Sequence, residues 1–518
     1  MSFISRSNKL RVASLLGAVA LVIGVAVQPS VAAPTASSVV PQPAKTITTQ
    51  SVGIQMFTWP WVSLKTECSK VLGPEGVDWI LVSPPQEDIH GTQWWTHYQP
   101  VSYKLTSQLG TEQQFTDMVS ACNQAGVQVI VDAVINHMAN GDGKGFAGST
   151  FSKYIYPGIY EPSDFHNELA TTDPNACYGS ITNYDDPFET THCELGGLPD
   201  LATEKDNVRQ TIAGYLNHLI DLGVSGFRVD AAKHIGLTDL SAIHALLKPV
   251  NGKTPYFLQE SIGSADYNKP WTANGDVFAW DYQAQFVNMF SGQTGLGRPT
   301  DLRSALIGDP NSTVIMVSNH DTEHHGPSAI TYLDPQKYLT ASAFLLADSL
   351  GKPMLYTGYA FYLNDLDAGP AVVKGDVIAP AACPAGSKSL SPQKKYKPGT
   401  FICMERWTAM KGMIQWHHEV GTNPMTNVNY GQQLLSFTRG SGFFAMNGNQ
   451  QVSKITIKSV VQTGLPKGVY CDVVSGGAKA ISKGKCLGSS VTVAADGSAK
   501  VAIPAMTAIA LDSTNKLK

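Results

Sequence analysis

Eight short apolar runs, each ending in polar or ionisable side chains, constrain this chain more than any other feature. They span 52–57, 77–83, 127–135, 224–230, 256–260, 277–281, 314–318 and 353–357. Most are apolar throughout rather than alternating, which is the pattern of parallel strands covered on both faces. Helical patterns lie between them. Residues 112–124 place Phe115, Met118, Val119 and Cys122 on one face and stop at Gly126. Residues 204–222 do the same with Val208, Ile212, Tyr215, Leu216 and Leu219 and stop at Gly223, and 237–247 repeats the theme. Eight strands alternating with helices predict an α/β fold, a (β/α)8 barrel.

Two long segments interrupt the alternation. Residues 138–199, rich in Gly, Asp, Pro and Tyr, form an insertion after the third strand, and 361–403 form another after the eighth. The barrel is expected to comprise 51–137 and 200–419. From 420 to 518 the pattern changes to short strands with Gly and Asn turns, which predicts a C-terminal all-β Greek-key sandwich.

The N-terminus reads as a signal peptide over 1–33. Arg6, Lys9 and Arg11 precede an uncharged apolar run at 12–27, and small residues follow at Ser30, Ala32 and Ala33. An uncleaved anchor is the alternative, but the run is short against the roughly 20 residues of a membrane span. Residues 34–50, rich in Pro, Ser, Thr and Ala, read as a linker. The reading implies a secreted, extracellular protein in which the eight cysteines are free to form disulfides. Proximity pairs them as Cys68–Cys122, Cys177–Cys193, Cys383–Cys403 and Cys471–Cys486, although sequence alone leaves connectivity open. Losing the leader's three basic residues takes the formal net charge from −4 to −7. Such a surface suits neither nucleic acid nor an anionic membrane, and a neutral polymer is compatible with it.

In a barrel of this kind, catalytic side chains gather at the C-terminal strand ends. The third run carries Asp132 and leads to Asn136 and His137. The fourth carries Arg228 and ends at Asp230, with Lys233 and His234 following. The fifth ends at Glu260, and the seventh leads to Asn319, His320 and Asp321. One such acid is readily structural; three at successive strand ends are not. Paired carboxylates suit glycoside hydrolysis, where one protonates the leaving oxygen and the other attacks the anomeric carbon or activates water. Arg228 shares a strand face with Asp230 by the period of two and would keep it ionised. The residues alone do not say which acid plays which part.

These motifs resemble the alpha-amylases of glycoside hydrolase family 13. Asp132-Ala-Val-Ile-Asn-His137 resembles the first conserved region of that family. Gly226-Phe-Arg-Val-Asp-Ala-Ala-Lys-His234 resembles the second, Gln259-Glu260 the third and Ser318-Asn-His-Asp321 the fourth. Gly197-Leu-Pro-Asp-Leu201 resembles a further one at the end of the insertion. The stretch from Cys193 to His234, and that from Trp94 to Tyr103, look closest to the secreted animal-type members.

The resemblance implies endo-hydrolysis of alpha-1,4-glucosidic bonds in starch and related glucans, with retention. Asp230 would be the nucleophile, Glu260 the acid and base, and Asp321 the transition-state stabiliser. Trp94, Trp95, Tyr98, Gln99, Asp132, His137, Arg228, Lys233, His234 and His320 would bind or support substrate. His324 and His325 would extend that set or sit as exposed loop residues. A calcium ion (Ca2+) would be held by Asn136, Asp200 and the main-chain carbonyls of His234 and Thr191. Animal-type members also bind chloride. Arg228 and Asn319 match two of its ligands, but the third position falls on Met354; a short shift could bring Lys352, two residues away, into play, so chloride stays open with the balance against it. The chain is expected to act as a monomer. Exo-hydrolysis, glucan transfer or a non-catalytic glucan-binding role on the same fold are the alternatives, and the last is opposed by the presence of all three acids.

Overall fold

The computed structural model describes residues 45–167, 175–177, 179–291, 309–325, 329–373, 375–431, 433–448 and 455–518. The signal peptide and residues 34–44 of the linker lie outside them. Eight parallel strands close a barrel: β1 Gly53–Met56, β2 Trp79–Val82, β3 Gln128–Ala133, β4 Gly226–Val229, β5 Tyr256–Gln259, β6 Asp276–Phe278, β7 Thr313–Met316 and β8 Lys352–Thr357. Each neighbours the next in sequence, and β8 closes on β1 through Gly53↔Met354. Every apolar run therefore became one strand. The run at 277–281 is the least faithful, because Trp280 and Asp281 instead open a helix, Trp280–Ser291, and Asp281 accepts the Ala265 N–H.

Around the barrel lie α1 Trp61–Glu67, α2 Glu112–Gln124, α3 Asp206–Asp221, α4 Leu237–Ala245, α5 Trp280–Ser291, α6 Pro335–Ala347 and α7 Thr408–Val420. Thr111 and Gln114 cap α2 reciprocally, and Gly126 leaves it at a positive φ of 86°. Helix α3 begins two residues later than its pattern suggests, because the Glu204 carboxylate is engaged by His166 instead of the first turn.

The barrel interior explains where the chemistry sits. Trp79, Leu81, Ile130, Leu258, Phe278, Val314, Met316 and Met354 form one apolar cluster with Ile47. Side chains two residues further along a strand share its face. Asp132 therefore stands one step above Ile130, and Glu260 one step above Leu258. The carboxylates rest on an apolar plug. Gly226 lets β4 approach β5 closely, since a Cβ there would lie 2.3 Å from the Tyr256 carbonyl oxygen. At the other end, Ile47 is buried and the Thr49 carbonyl faces His417 Nε2 at 3.0 Å, while Lys45, Thr46, Thr48 and Gln50 are exposed.

The C-terminal strands are β9 Met425–Tyr430, β10 Leu434–Arg439, β11 Gly442–Asn447, β12 Ile457–Gln462, β13 Gly468–Cys471, β14 Ser490–Val493, β15 Ser498–Ile503 and β16 Thr507–Asp512. They form two four-stranded sheets, β9-β10-β11-β16 and β12-β15-β14-β13. Alternate residues of both, among them Phe443, Leu511, Val493 and Val501, share a core. The opposite face of the first sheet, with Phe437, Phe444 and Ala510, joins the large cluster that includes α6 and α7. Buried Arg439 fastens the junction by donating to the carbonyls of Ala347 and Asp348. All four cysteine pairs are disulfides as proximity suggested. No helix among the described residues is long and apolar enough to cross a membrane.

Candidate active site

Arg228 organises the upper end of the barrel. Its Nη1 lies 2.6 Å from Asp132 Oδ1 and 2.7 Å from Asp230 Oδ1, its Nη2 2.6 Å from Glu260 Oε1 and 3.9 Å from Asp321 Oδ2. A guanidinium meets several carboxylates only when they are neighbours. The expected acids of β3, β4, β5 and the turn after β7 therefore converge on one point. Asp132 and Arg228 are side by side in register, and Tyr98 donates to the second Asp132 oxygen at 2.9 Å. Asp321, its side chain 25% exposed, is the most open of the four.

The residue after Asp230 is strained. Ala231 has a φ of 48°, a left-handed conformation that costs a non-glycine residue of order 1 kcal/mol. That conformation accompanies a 2.9 Å hydrogen bond from the Ala231 N–H to Glu260 Oε2. With Arg228 on the other oxygen, Glu260 is fixed at both ends.

One cation among four carboxyls, three of them buried, leaves an excess of negative charge. Burial pushes Glu260 well above the usual carboxylate range. Arg228 opposes this, and Asp321 and Asp230 add to it. Burial also lifts Asp230 to about 7, against the pull of Arg228. Asp321 goes the other way: burial would raise it, but His320 and Arg228 hold it low. The shared proton belongs on Glu260. Once it is there, Asp230 shares Arg228 Nη1 with Asp132 alone.

His320 lies between Phe57 and Tyr98, stacked on each with ring centroids 4.6 and 5.2 Å apart. Gln55 Nε2 donates to its Nδ1 at 2.9 Å, which leaves Nε2 to carry the proton toward Asp321 Oδ1 at 3.4 Å. Burial lowers His320 to about 3, so it stays neutral. Neither Gln55 nor Phe57 was singled out from sequence. The signal was there, since Gln55 is the one polar residue in an otherwise apolar first run.

Several expected substrate residues are committed elsewhere. His137 gives its Nε2 proton to the Tyr98 carbonyl at 2.9 Å, so it supports the Tyr98 wall, and touching a sugar would require it to exchange that bond. His234 is buried with its Nδ1 2.9 Å from the Thr190 carbonyl oxygen, which fits a link to the insertion better than a sugar contact. His324 is a correction: it is not an exposed loop residue but is buried, with Nδ1 2.7 Å from the Leu366 carbonyl oxygen. His325 is exposed. Trp94 is buried and donates its indole N–H to the same Leu366 carbonyl, while Trp95 and Gln99 are half-buried. Lys233 lies over the Tyr267 ring at 5.0 Å.

Two of the expected cation ligands, Asn136 and Asp200, are neighbours at the root of the insertion. Asn136 Nδ2 donates to Asp200 Oδ1 at 3.2 Å, which brings the amide and the carboxylate side by side. An amide oxygen, a carboxylate and main-chain carbonyls form an all-oxygen set that fits calcium. Thr191 and His234 belong to the adjoining pair of segments joined by the Thr190–His234 bond. His166, unforeseen from sequence, holds the other Asp200 oxygen at 2.8 Å and Glu204 at 3.0 Å. The anion site fares differently. Lys352 Nζ is 2.5 Å from Asp276 Oδ2 near the lower end of the barrel, Met354 lies in the apolar plug, and Asn319 Oδ1 caps the turn at Thr322. Neither Lys352 nor Met354 brings a cation to Arg228 and Asn319.

Residues 76–259 match the family described as alpha amylase, catalytic domain. An alpha-amylase of Thermomonospora curvata is 37% identical over 98% of this chain and 79% of its own length. An alpha-amylase of the beetle Tribolium castaneum is 36% identical over 87% and 91%. Among solved structures, a mutant of alpha-amylase I from the earthworm Eisenia fetida in complex with maltohexaose superposes with a TM-score of 0.76. It is 30% identical and covers 91% of this chain and 99% of its own.

Proposed function

This chain belongs to the alpha-amylase family, a glycoside hydrolase that cleaves internal alpha-1,4-glucosidic bonds, and we propose that it does so with Asp230, Glu260 and Asp321. The observation that carries the assignment is the Arg228 guanidinium clasping Asp230 and Glu260 at once. Two carboxyls sharing one guanidinium suit a retaining pair, whose carboxyls stand about 5–5.5 Å apart.

Asp230 attacks the anomeric carbon while Glu260 gives its proton to the leaving glucosidic oxygen. The C–O bond breaks and a β-linked glycosyl ester forms on Asp230. Glu260, now a carboxylate, takes a proton from water, whose oxygen attacks the same carbon and releases Asp230. Two inversions return the α-anomer. Asp321, open to the cleft, accepts hydrogen bonds from sugar hydroxyls and opposes the positive charge of the transition state. Neutral His320 donates beside it. Half-buried Trp95 supplies an apolar ring face, while Tyr98 and Trp94 pack against His320.

Asn136, Asp200 and the carbonyls of His234 and Thr191 would hold calcium, which when bound joins the insertion to the loop after Asp230. The division into a barrel at 51–137 and 200–419, an insertion at 138–199 and a sandwich at 420–518 is supported by where the strands begin and end. Disulfides and the basic, apolar N-terminus support secretion, and the protein acts as a monomer without a chloride requirement.

The test is hydrolysis of soluble starch with calcium, following viscosity and the anomeric form of new ends together. A rapid viscosity loss with α-anomeric products is expected. Slow viscosity loss with abundant small products would point to exo-attack, and β-anomeric products would overturn the assignment of Asp230 as nucleophile.

A further inference from the structure

The insertion after β8 had no role in the sequence, and its first turn is unusual. Residues 362–367 are all exposed, with Tyr362 at 64% and Leu363 at 59%, next to Asn364 and Asp365. Single exposed apolar residues are common on any surface. Here an aromatic and an aliphatic side chain are adjacent on a turn held firmly at both ends. On one side Phe361 is buried, and its main-chain N–H and carbonyl both bond the Tyr332 hydroxyl at 2.8 and 3.1 Å. On the other, the carbonyls of Leu366 and Asp367 accept from Trp94, each at 3.1 Å, and Gly369 donates to the Thr92 carbonyl. A Cβ at Gly369 would lie 2.4 Å from that carbonyl oxygen, so only glycine permits the approach.

The anchors are walls of the cleft. Trp94 packs edge-on against Tyr98 and His320, and Phe361 stacks on His324 at 4.2 Å. The turn thus continues the aromatic wall of the active site outward, and its order is secured before any ligand arrives. An exposed ring beside an amide and a carboxylate is the chemistry that grips a glucose unit: the ring takes the apolar sugar face and the polar groups take its hydroxyls.

We propose that Tyr362, aided by Leu363 and Asp365, forms an outer subsite for glucosyl units of long glucans, remote from the scissile bond. The inference rests on the hydrolase reading above. Binding energy gained there raises turnover of long chains and is invisible to short ones.

The test compares kcat/KM on amylose and on a chromogenic maltotrioside for the wild type, Tyr362→Ala and Tyr362→Phe. Tyr362→Ala is expected to lose about 3- to 10-fold on amylose and nothing on the maltotrioside, while Tyr362→Phe keeps most of the amylose rate. Equal losses on both substrates, or no loss on either, with the wild type active, would overturn the subsite and leave the hydrolase reading standing. A folded wild type that cleaves neither substrate would overturn the hydrolase reading, and the subsite with it.

Discussion

Glu260 Oε1 stands 2.6 Å from Arg228 Nη2 while its Oε2 accepts the Ala231 N–H at 2.9 Å. A carboxyl held at both oxygens, yet driven by burial to retain its proton, is oriented for proton donation before substrate arrives. Glu260→Gln keeps the shape and removes the transferable proton. It should lower kcat by about 100- to 10,000-fold. Asp230→Asn should do at least as much, and both should melt within a few degrees of the wild type. Near-normal turnover in either, measured on starch, would sink the assignment.

Arg228 compensates several buried acids at once, so its loss should be felt as stability. Arg228→Met should cost about 3–5 kcal/mol in denaturant unfolding, besides abolishing activity. Arg228→Lys should rescue little, since a point charge cannot match the planar fork. Full stability in the methionine variant would mean that the acids do not depend on it.

Calcium binding at Asn136 and Asp200 should appear in unfolding independently of activity. Chelation should lower Tm and calcium should restore it, with a gain in unfolding free energy of about 2.7 kcal/mol at a hundredfold excess over Kd. Asp200→Asn should erase this calcium-dependent shift. A shift that survives the substitution would place the ion elsewhere.

Glu323 provides a pH-dependent prediction away from the reacting atoms. Burial lifts it from an ordinary 4.5 to about 8, although the Tyr356 hydroxyl 2.6 Å away pulls the other way. Above pH 4.5 the unfolded chain ionises this group while the folded chain does not. Its contribution is therefore complete below pH 4.5 and is lost as pH rises through 8, at about 1.4 kcal/mol per pH unit. Glu323→Gln cannot titrate, so by calorimetry its Tm relative to wild type should climb from pH 5 to pH 9. A constant difference would show that Glu323 is already ionised when folded.

Lys352 is held by Asp276, and Met354 sits in the apolar plug. Turnover should accordingly be equal in chloride and in gluconate at matched ionic strength. A several-fold activation by chloride would mean that a different basic group completes an anion site.

Much of this was fixed locally. A strand repeats every two residues, so Arg228 and Asp230 had to share a face, and eight runs covered on both sides had few arrangements other than a closed barrel. The order of acids at strand ends could be read for the same reason. Closure decided the rest. Asp132, Glu260 and Asp321 join Asp230 at one guanidinium only because the barrel brings their strand ends together. Whether Lys352 met Arg228 or Asp276 depended on how high on β8 its side chain entered the interior, which a run of apolar letters does not specify. His324 was undecided in sequence because its surroundings, Trp94 and the carbonyl of Leu366, come from segments far along the chain. Spacing along the sequence determines which side chains face the same way; tertiary contact alone determines what they meet there.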